Sequence, residues 1–214
     1  MNRKAAEVLA PRLAFTRVET DAQLVPLTVE QYHGMIEARI LAEGAPIELL
    51  DGFLVRKDRS KAGGDPMTVG HHHAWVVDAL TNLAGDVVRL GARLRIQQPI
   101  TLPPDDEPEP DATIFAAGDF RERHPGPADI FCVVEAADSS LRHDRTTKQR
   151  IYASHGIPQY VIVNLEENVI EDYRRPDVGA GRYDPPVVLR RGQTVSFELG
   201  GDRRLDVAVE SLLP

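Results

Sequence analysis

The sequence predicts an α/β (α+β) domain in which helices flank a mixed β-sheet. Two continuous apolar runs, Ile130-Phe131-Cys132-Val133-Val134 and Tyr160-Val161-Ile162-Val163, have the composition of strands buried on both faces. Between them, residues 144–155 suit a helix, with Gly156 just past its end and Pro158 beyond. Strand, helix and strand over that distance form a βαβ unit, so these two strands should run parallel through a right-handed crossover. Elsewhere the strand signals are shorter and more alternating, and one pair flanks Asp51-Gly52, a strong hairpin signal. Parallel and antiparallel pairs together make the sheet mixed.

Taken in order, residues 1–26 have weak periodicity and are expected to form an extension, leaving 27–214 as a single domain. Thr28 and Gln31 make a capping box, followed by apolar Tyr32, Met35, Ile36 and Ile40, so a helix should run to near Gly44. The hairpin 47–50 and 53–55 follows, then a polar, Gly-rich loop over 56–70. Val76, Val77, Leu80, Leu83, Val87 and Val88 recur at helical spacing, which predicts one helix over 72–90. Residues 95–102 read as a strand. Four prolines between 103 and 110 then force a turn, whose acids at 105–109 are expected in solvent. The turn delivers the chain into a strand from Asp111 to Phe115, and Glu135 is expected to close the next one. C-terminal strands are expected near 169–173, 187–189 and 195–199.

Composition narrows the function classes. Acidic residues outnumber basic ones, 33 to 25, for a formal net charge of −8, which argues against nucleic-acid binding through basic surface alone. A bound divalent cation can supply positive charge at a phosphate instead. No apolar stretch is long enough for a membrane span, no apolar leader follows Met1, and the single Cys132 cannot form an internal disulfide. These features suit a cytoplasmic protein. Neither a phosphate-cradling G-x-x-x-x-G-K-[ST] loop nor a G-x-S-x-G elbow is present, which counts against an NTPase or an α/β-hydrolase.

Asp111 and Glu135 sit at expected strand ends, where two carboxylates can converge on a hard cation. The competing reading makes Asp111 a loop acid and pairs Glu135 with an arginine. Lys148 has core-facing Ile151 and Tyr152 at i+3 and i+4, so it either meets the acids or lays its stem over apolar surface. Glu48 either adds a ligand or faces solvent. The run His71-His72-His73 offers no tetrahedral zinc set; His73, at a helix start, either points toward the cleft or lies at the surface, and the surface role is the one expected.

In order along the chain stand Leu27-Thr28-Val29-Glu30-Gln31-Tyr32, Glu48-Leu49-Leu50-Asp51-Gly52 and Glu107-Pro108-Glu109-Pro110-Asp111. They are followed by Val133-Val134-Glu135, Asp138-Ser139-Ser140, Asp144 with Lys148, Tyr152-Ala153 and Gly156-Ile157-Pro158-Gln159-Tyr160. This ordered set resembles the Uma-two family, a branch of the restriction-endonuclease-like PD-(D/E)XK nuclease superfamily. Pro110-Asp111 and Glu135 match the superfamily pattern; its lysine position holds Ala137, and the family instead places a lysine on the next helix, here Lys148. The resemblance implies Mg²⁺ or Mn²⁺ held by Asp111 and Glu135 with help from Glu48, and Lys148 as a catalytic group. The implied reaction is hydrolysis of a DNA phosphodiester by a metal-activated water, with a homodimer as the expected assembly. A catalytically weak or inactive nuclease fold serving as a DNA-binding or protein-interaction module is the competing function, and hydrolysis of a small phosphodiester a third.

Overall fold

The computed structural model describes residues 24–42, 44–57 and 70–214. Most of the expected extension, and residues 58–69 of the Gly-rich loop expected over 56–70, therefore lie outside the described residues. Helix α1 (Val29–Glu37) opens on the capping box: Thr28 Oγ1 accepts the Gln31 amide at 3.2 Å and Gln31 Oε1 accepts the Thr28 amide at 2.9 Å. It stops well short of Gly44. Val29 and Tyr32 already bury its apolar face, Arg39 turns into the left-handed region, and Ile40 is left exposed.

Strands β1 (Ile47–Leu50) and β2 (Phe53–Arg56) form the expected hairpin around Asp51 and Gly52, both at positive φ. A side chain at Gly52 would strike Pro26, with its Cβ only 2.2 Å from that of Pro26, so only glycine serves there. The single helix expected over 72–90 is two: α2 (His71–Asn82) and α3 (Ala84–Arg89). The Leu83 amide bonds back to the Leu80 carbonyl at 3.0 Å, tightening the chain between the poor helix formers Asn82 and Gly85.

Six strands make the main sheet in the order β3-β4-β5-β6-β7-β8, from β3 (Ala92–Ile96), β4 (Ala112–Ala116), β5 (Ile130–Ala137), β6 (Gln159–Asn164), β7 (Val169–Arg174) and β8 (Val187–Leu189). Only β5 and β6 run parallel; every other neighbouring pair is antiparallel. Their crossover is α4 (Leu141–His143), a π-helical turn over Asp144–Lys148 and α5 (Gln149–Ser154), so the helix starts earlier than expected and carries a widened turn. A separate hairpin, β9 (Thr194–Glu198) with β10 (Arg204–Ala208), packs Val195, Phe197 and Val207 on the sheet.

Alternation splits β5 between two cores. Cys132, Val134 and Ala136 face Val76, Leu80, Val87 and the β9–β10 hairpin, while Val133 and Ala137 face Leu50, Ile151 and Tyr152. The sheet is thus covered on both faces, and the α5 side is the one that builds the site.

Four strand-level expectations are corrected. β3 lies earlier than 95–102 and ends at Ile96, and the next residue, Gln97, takes a positive φ as the chain turns to Asp111. Asp111 precedes β4 rather than opening it, and Glu135 lies inside β5, opposite Ile162. The fourth concerns the acids of the proline-rich turn: Asp106 and Glu107 are buried. The turn folds back over β1, with the Glu107 amide on the Leu49 carbonyl at 2.8 Å, so its acids meet partners. Asp106 accepts the Asp51 amide at 2.7 Å, and Glu107 accepts Thr101 at 2.9 Å beside His33 at 2.8 Å.

Candidate functional site

Between the β1–β2 hairpin, the start of α2 and the crossover lies a cleft of about 380 Å³, lined among others by Glu48, His73, Asp111, Glu135, Asp144 and Lys148. Four buried carboxylates, the buried Lys148 and the partly buried His73 thus share one cavity. They come from β1, α2, the residue before β4, β5 and the π turn of the crossover. Their convergence follows from the topology.

Glu135 is carried inward by β5 on the face toward α5. Its Oε1 accepts Lys148 Nζ at 2.9 Å and the Tyr152 hydroxyl at 2.8 Å. Lys148 Nζ also lies 3.6 Å from Glu48 Oε1, and the other Glu48 oxygen accepts the Glu109 amide at 3.0 Å. The solvent-facing and snorkelling readings of Glu48 and Lys148 therefore fail: both are buried. So does the pairing of Glu135 with an arginine, since the cation beside it is a lysine.

Asp111 is not a loose loop acid. Its Oδ2 accepts the Ala136 amide at 2.9 Å, and its Oδ1 accepts Gln97 Nε2 at 3.2 Å with His73 Nε2 at 3.1 Å. His73 also donates Nδ1–H to the Ala136 carbonyl oxygen, at 3.1 Å. The surface role expected of His73 is thus corrected: it bridges α2 to β5 and Asp111. Only its spacing signalled this, since 73, 76 and 80 share the inward stripe that buries Val76 and Leu80.

Asp144 is the other residue that sequence reasoning did not single out as a site group. It is buried, accepts Ser140 Oγ at 2.6 Å, and begins the π turn that ends at Lys148. A turn of this width carries one more residue than an α turn, and such turns gather at functional sites. Here Asp144 and Lys148, four apart, both reach the cleft. That spacing on one helix was the available signal.

Electrostatics reflect the crowding. Burial, with help from Asp144, Asp111 and Glu48, pushes the Glu135 carboxyl up to about 8 against the pull of Lys148. For Lys148 burial opposes the charge, but Glu135, Glu48 and Asp144 outweigh it and hold the ammonium well above its ordinary range. Burial would raise Asp111 too, yet the hydrogen bond and charge of His73 bring it below the usual carboxylate range. Burial raises Asp144, with Lys148 opposing.

A family model described as "Uma2: Putative restriction endonuclease" matches residues 29–209. The chain belongs to the Uma2 family. Among solved structures, one described as a putative nuclease of the DUF820 family from Anabaena variabilis aligns with a TM-score of 0.61 at 17% identity, covering 87% of this chain and 97% of that one. That likeness establishes the restriction-endonuclease-like fold. No curated protein matches the chain.

A divalent metal is general in such families, and the Uma2 cleft can be judged against one. Glu48, Asp111 and Glu135 offer carboxylate oxygens, the donors a hard cation takes, and a cation would relieve the mutual repulsion that lifts Glu135. Among the described residues, however, no three His, Cys, Asp or Glu side chains are drawn together as a ready coordination cluster. The donors fit a cation in kind, with a side-chain adjustment needed to close around it.

Proposed function

We propose that the protein is a metal-dependent endonuclease that hydrolyses DNA phosphodiester bonds, with Glu48, Asp111, Glu135 and Lys148 as its working residues. The observation that carries this reading is the single cleft holding four buried carboxylates, Glu48, Asp111, Glu135 and Asp144, around one buried, charged lysine. A structural ion pair would need one acid per lysine. The surplus of acids calls for further positive charge.

Mg²⁺ or Mn²⁺, held by Asp111 and Glu135 with Glu48 assisting, would supply that charge at the phosphate and acidify water. The chain's own groups do the rest. Lys148 donates toward the reacting phosphate as negative charge builds on it, from a position fixed by Glu135. Tyr152 steadies Glu135, and the Glu109 amide steadies Glu48, so neither carboxylate needs to reorganise during the reaction. Gln97 and the Ala136 amide hold Asp111 in the same way.

Membership in the Uma2 family supports the nuclease reading, and the described residues include no helix long and apolar enough to cross a membrane. A cytoplasmic homodimer acting on DNA is the form we propose. The test is conversion of supercoiled plasmid to nicked or linear DNA with Mg²⁺ or Mn²⁺. Wild type should cut and the Asp111→Asn, Glu135→Gln double variant should not. Equal products from both proteins would refute the assignment.

One observation favours a second reading, in which the fold is a DNA-binding or protein-interaction module. His73 already occupies the Asp111 oxygen that a cation would take. Tight plasmid binding in EDTA at physiological salt, with no cleavage in any divalent metal, would support that module instead.

A further inference from the structure

His73 is held at both ring nitrogens. Nδ1 lies 3.1 Å from the Ala136 carbonyl oxygen, an atom that can only accept, so Nδ1 carries the hydrogen. Nε2 points at Asp111 Oδ1 from 3.1 Å and shares a hydrogen with it; a cation entering between the two would take that hydrogen's place, leaving the Nε2 lone pair to bind it. Tying the far nitrogen to a backbone carbonyl is how metal-binding histidines are commonly oriented. Two ligands at right angles on one cation, with bonds of about 2.1–2.2 Å, lie about 3 Å apart. The observed separation, that of a hydrogen-bonded pair, is also one that two neighbouring ligands can keep. His73 lines the cleft with its side chain 21% exposed, so an entering ion can reach Nε2, whereas His71 and His72 face solvent.

Resting on the reading of the cleft as a metal centre, we propose that His73 is a nitrogen ligand of the ion, sharing its coordination shell with Asp111. The site then belongs to a borderline divalent cation. Imidazole suits Mn²⁺ and its heavier neighbours, while Mg²⁺ keeps to oxygen ligands and water. A mixed nitrogen and carboxylate shell therefore selects Mn²⁺ over Mg²⁺, beyond what three carboxylates would do.

The test uses Mn²⁺ alone as probe, bound to the full chain without DNA. Electron spin echo envelope modulation is recorded on protein made with ¹⁴N-histidine and with ¹⁵N-histidine. A nitrogen modulation that changes frequency with the label is expected. It should vanish in His73→Gln and persist in His143→Gln, which removes another histidine of the cleft. Mn²⁺ affinity should fall about 10–100-fold in His73→Gln, and Mg²⁺ affinity by less. Stoichiometric Mn²⁺ with no histidine modulation, or a modulation that survives His73→Gln, overturns the assignment while leaving the metal centre standing. Failure of wild type to take up Mn²⁺ overturns the metal centre itself and His73's role with it. Should His73→Gln fail to fold, the isotope comparison on wild type and on His143→Gln still decides: no label-dependent modulation in wild type, or its loss in His143→Gln, overturns the proposal.

Discussion

Replacing Lys148 with methionine removes the buried lysine from a cavity of acids. Its ammonium is 2.9 Å from Glu135 and 3.6 Å from Glu48, with the side chain only 9% exposed. At an effective dielectric constant of about 20, two full charges at those separations attract by about 6 and 5 kcal/mol. Desolvation of the ammonium offsets much of that, and breaking a buried pair costs a net of about 3–5 kcal/mol when the remaining acid stays charged.

Whether it stays charged depends on pH, and this gives the prediction its shape. The folded-state pKa of Glu135 is raised to about 8, from an ordinary 4.5. A raised acid costs the folded state stability as pH climbs from the unfolded value to the folded one, and the loss then levels off. In wild type that levelling should come near pH 8. In Lys148→Met the largest downward influence on Glu135 is gone, so its pKa rises further and stability keeps falling above pH 8. At pH 6.5, where Glu135 holds its proton in both proteins, the gap should be about 1–3 kcal/mol, from Glu48 losing its cation and Glu135 a donor. Above pH 8 it should widen by about 1.4 kcal/mol per unit, toward 3–5 kcal/mol. Urea unfolding followed by circular dichroism at pH 6.5, 8 and 9.5 measures it. A gap that is constant with pH, or absent, refutes the account of Lys148 as the compensating charge.

The Asp111→Asn, Glu135→Gln double variant should lose stoichiometric Mn²⁺ binding by calorimetry; unchanged binding would put the ion elsewhere. Asp106, raised by burial to about 6, destabilises the folded state increasingly as pH rises from about 4 through 6. Asp106→Asn should therefore be more stable than wild type by about 1–2 kcal/mol at pH 8 and equal to it near pH 4. Light scattering across micromolar concentrations should give twice the chain mass of 23.7 kDa, and a monomer throughout would remove the homodimer.

Much of this architecture is written locally in the chain. β5 and β6 are buried along nearly their whole length, and burial on both faces forces the unbroken apolar runs that reveal them. The capping box and the Asp51-Gly52 turn are equally local, each closed within a few residues. β3 and β10 were hard to place because only part of each is buried: Arg93 and Arg95 stud an edge strand, and Arg204 and Asp206 flank the buried Val207. The buried acids were illegible for another reason. An acid is buried only where a partner meets it, and the partners of Asp106 and Glu107, Asp51 and His33, lie in distant segments. His73 is a similar case, since its contacts on Asp111 and Ala136 exist only after the sheet has formed.

The displaced lysine raises one further question, whether its position on the helix is interchangeable with the strand position where the superfamily pattern expects it. Ala137 shares the Glu135 face of β5, two residues on, so a lysine there would start from the correct side of the sheet. Space decides against it. Ala137 has no exposed surface, packs in the core that includes Leu141, Ile151 and Tyr152, and receives the Leu165 amide on its carbonyl at 2.9 Å. Four methylenes and an ammonium cannot enter that core without displacing the crossover helix, and overpacking of this kind costs about 1–3 kcal/mol. The π turn solves the same problem from the other side of the cavity, bringing Lys148 to Glu135 while the strand keeps a small residue. Ala137→Lys in a Lys148→Ala background should accordingly be less stable than Lys148→Ala alone, and it should leave plasmid cleavage at the low level of that variant, about 10²–10³-fold below wild type. Recovery of cleavage to within tenfold of wild type would mean that the core yields, and that either position delivers the ammonium to the same point.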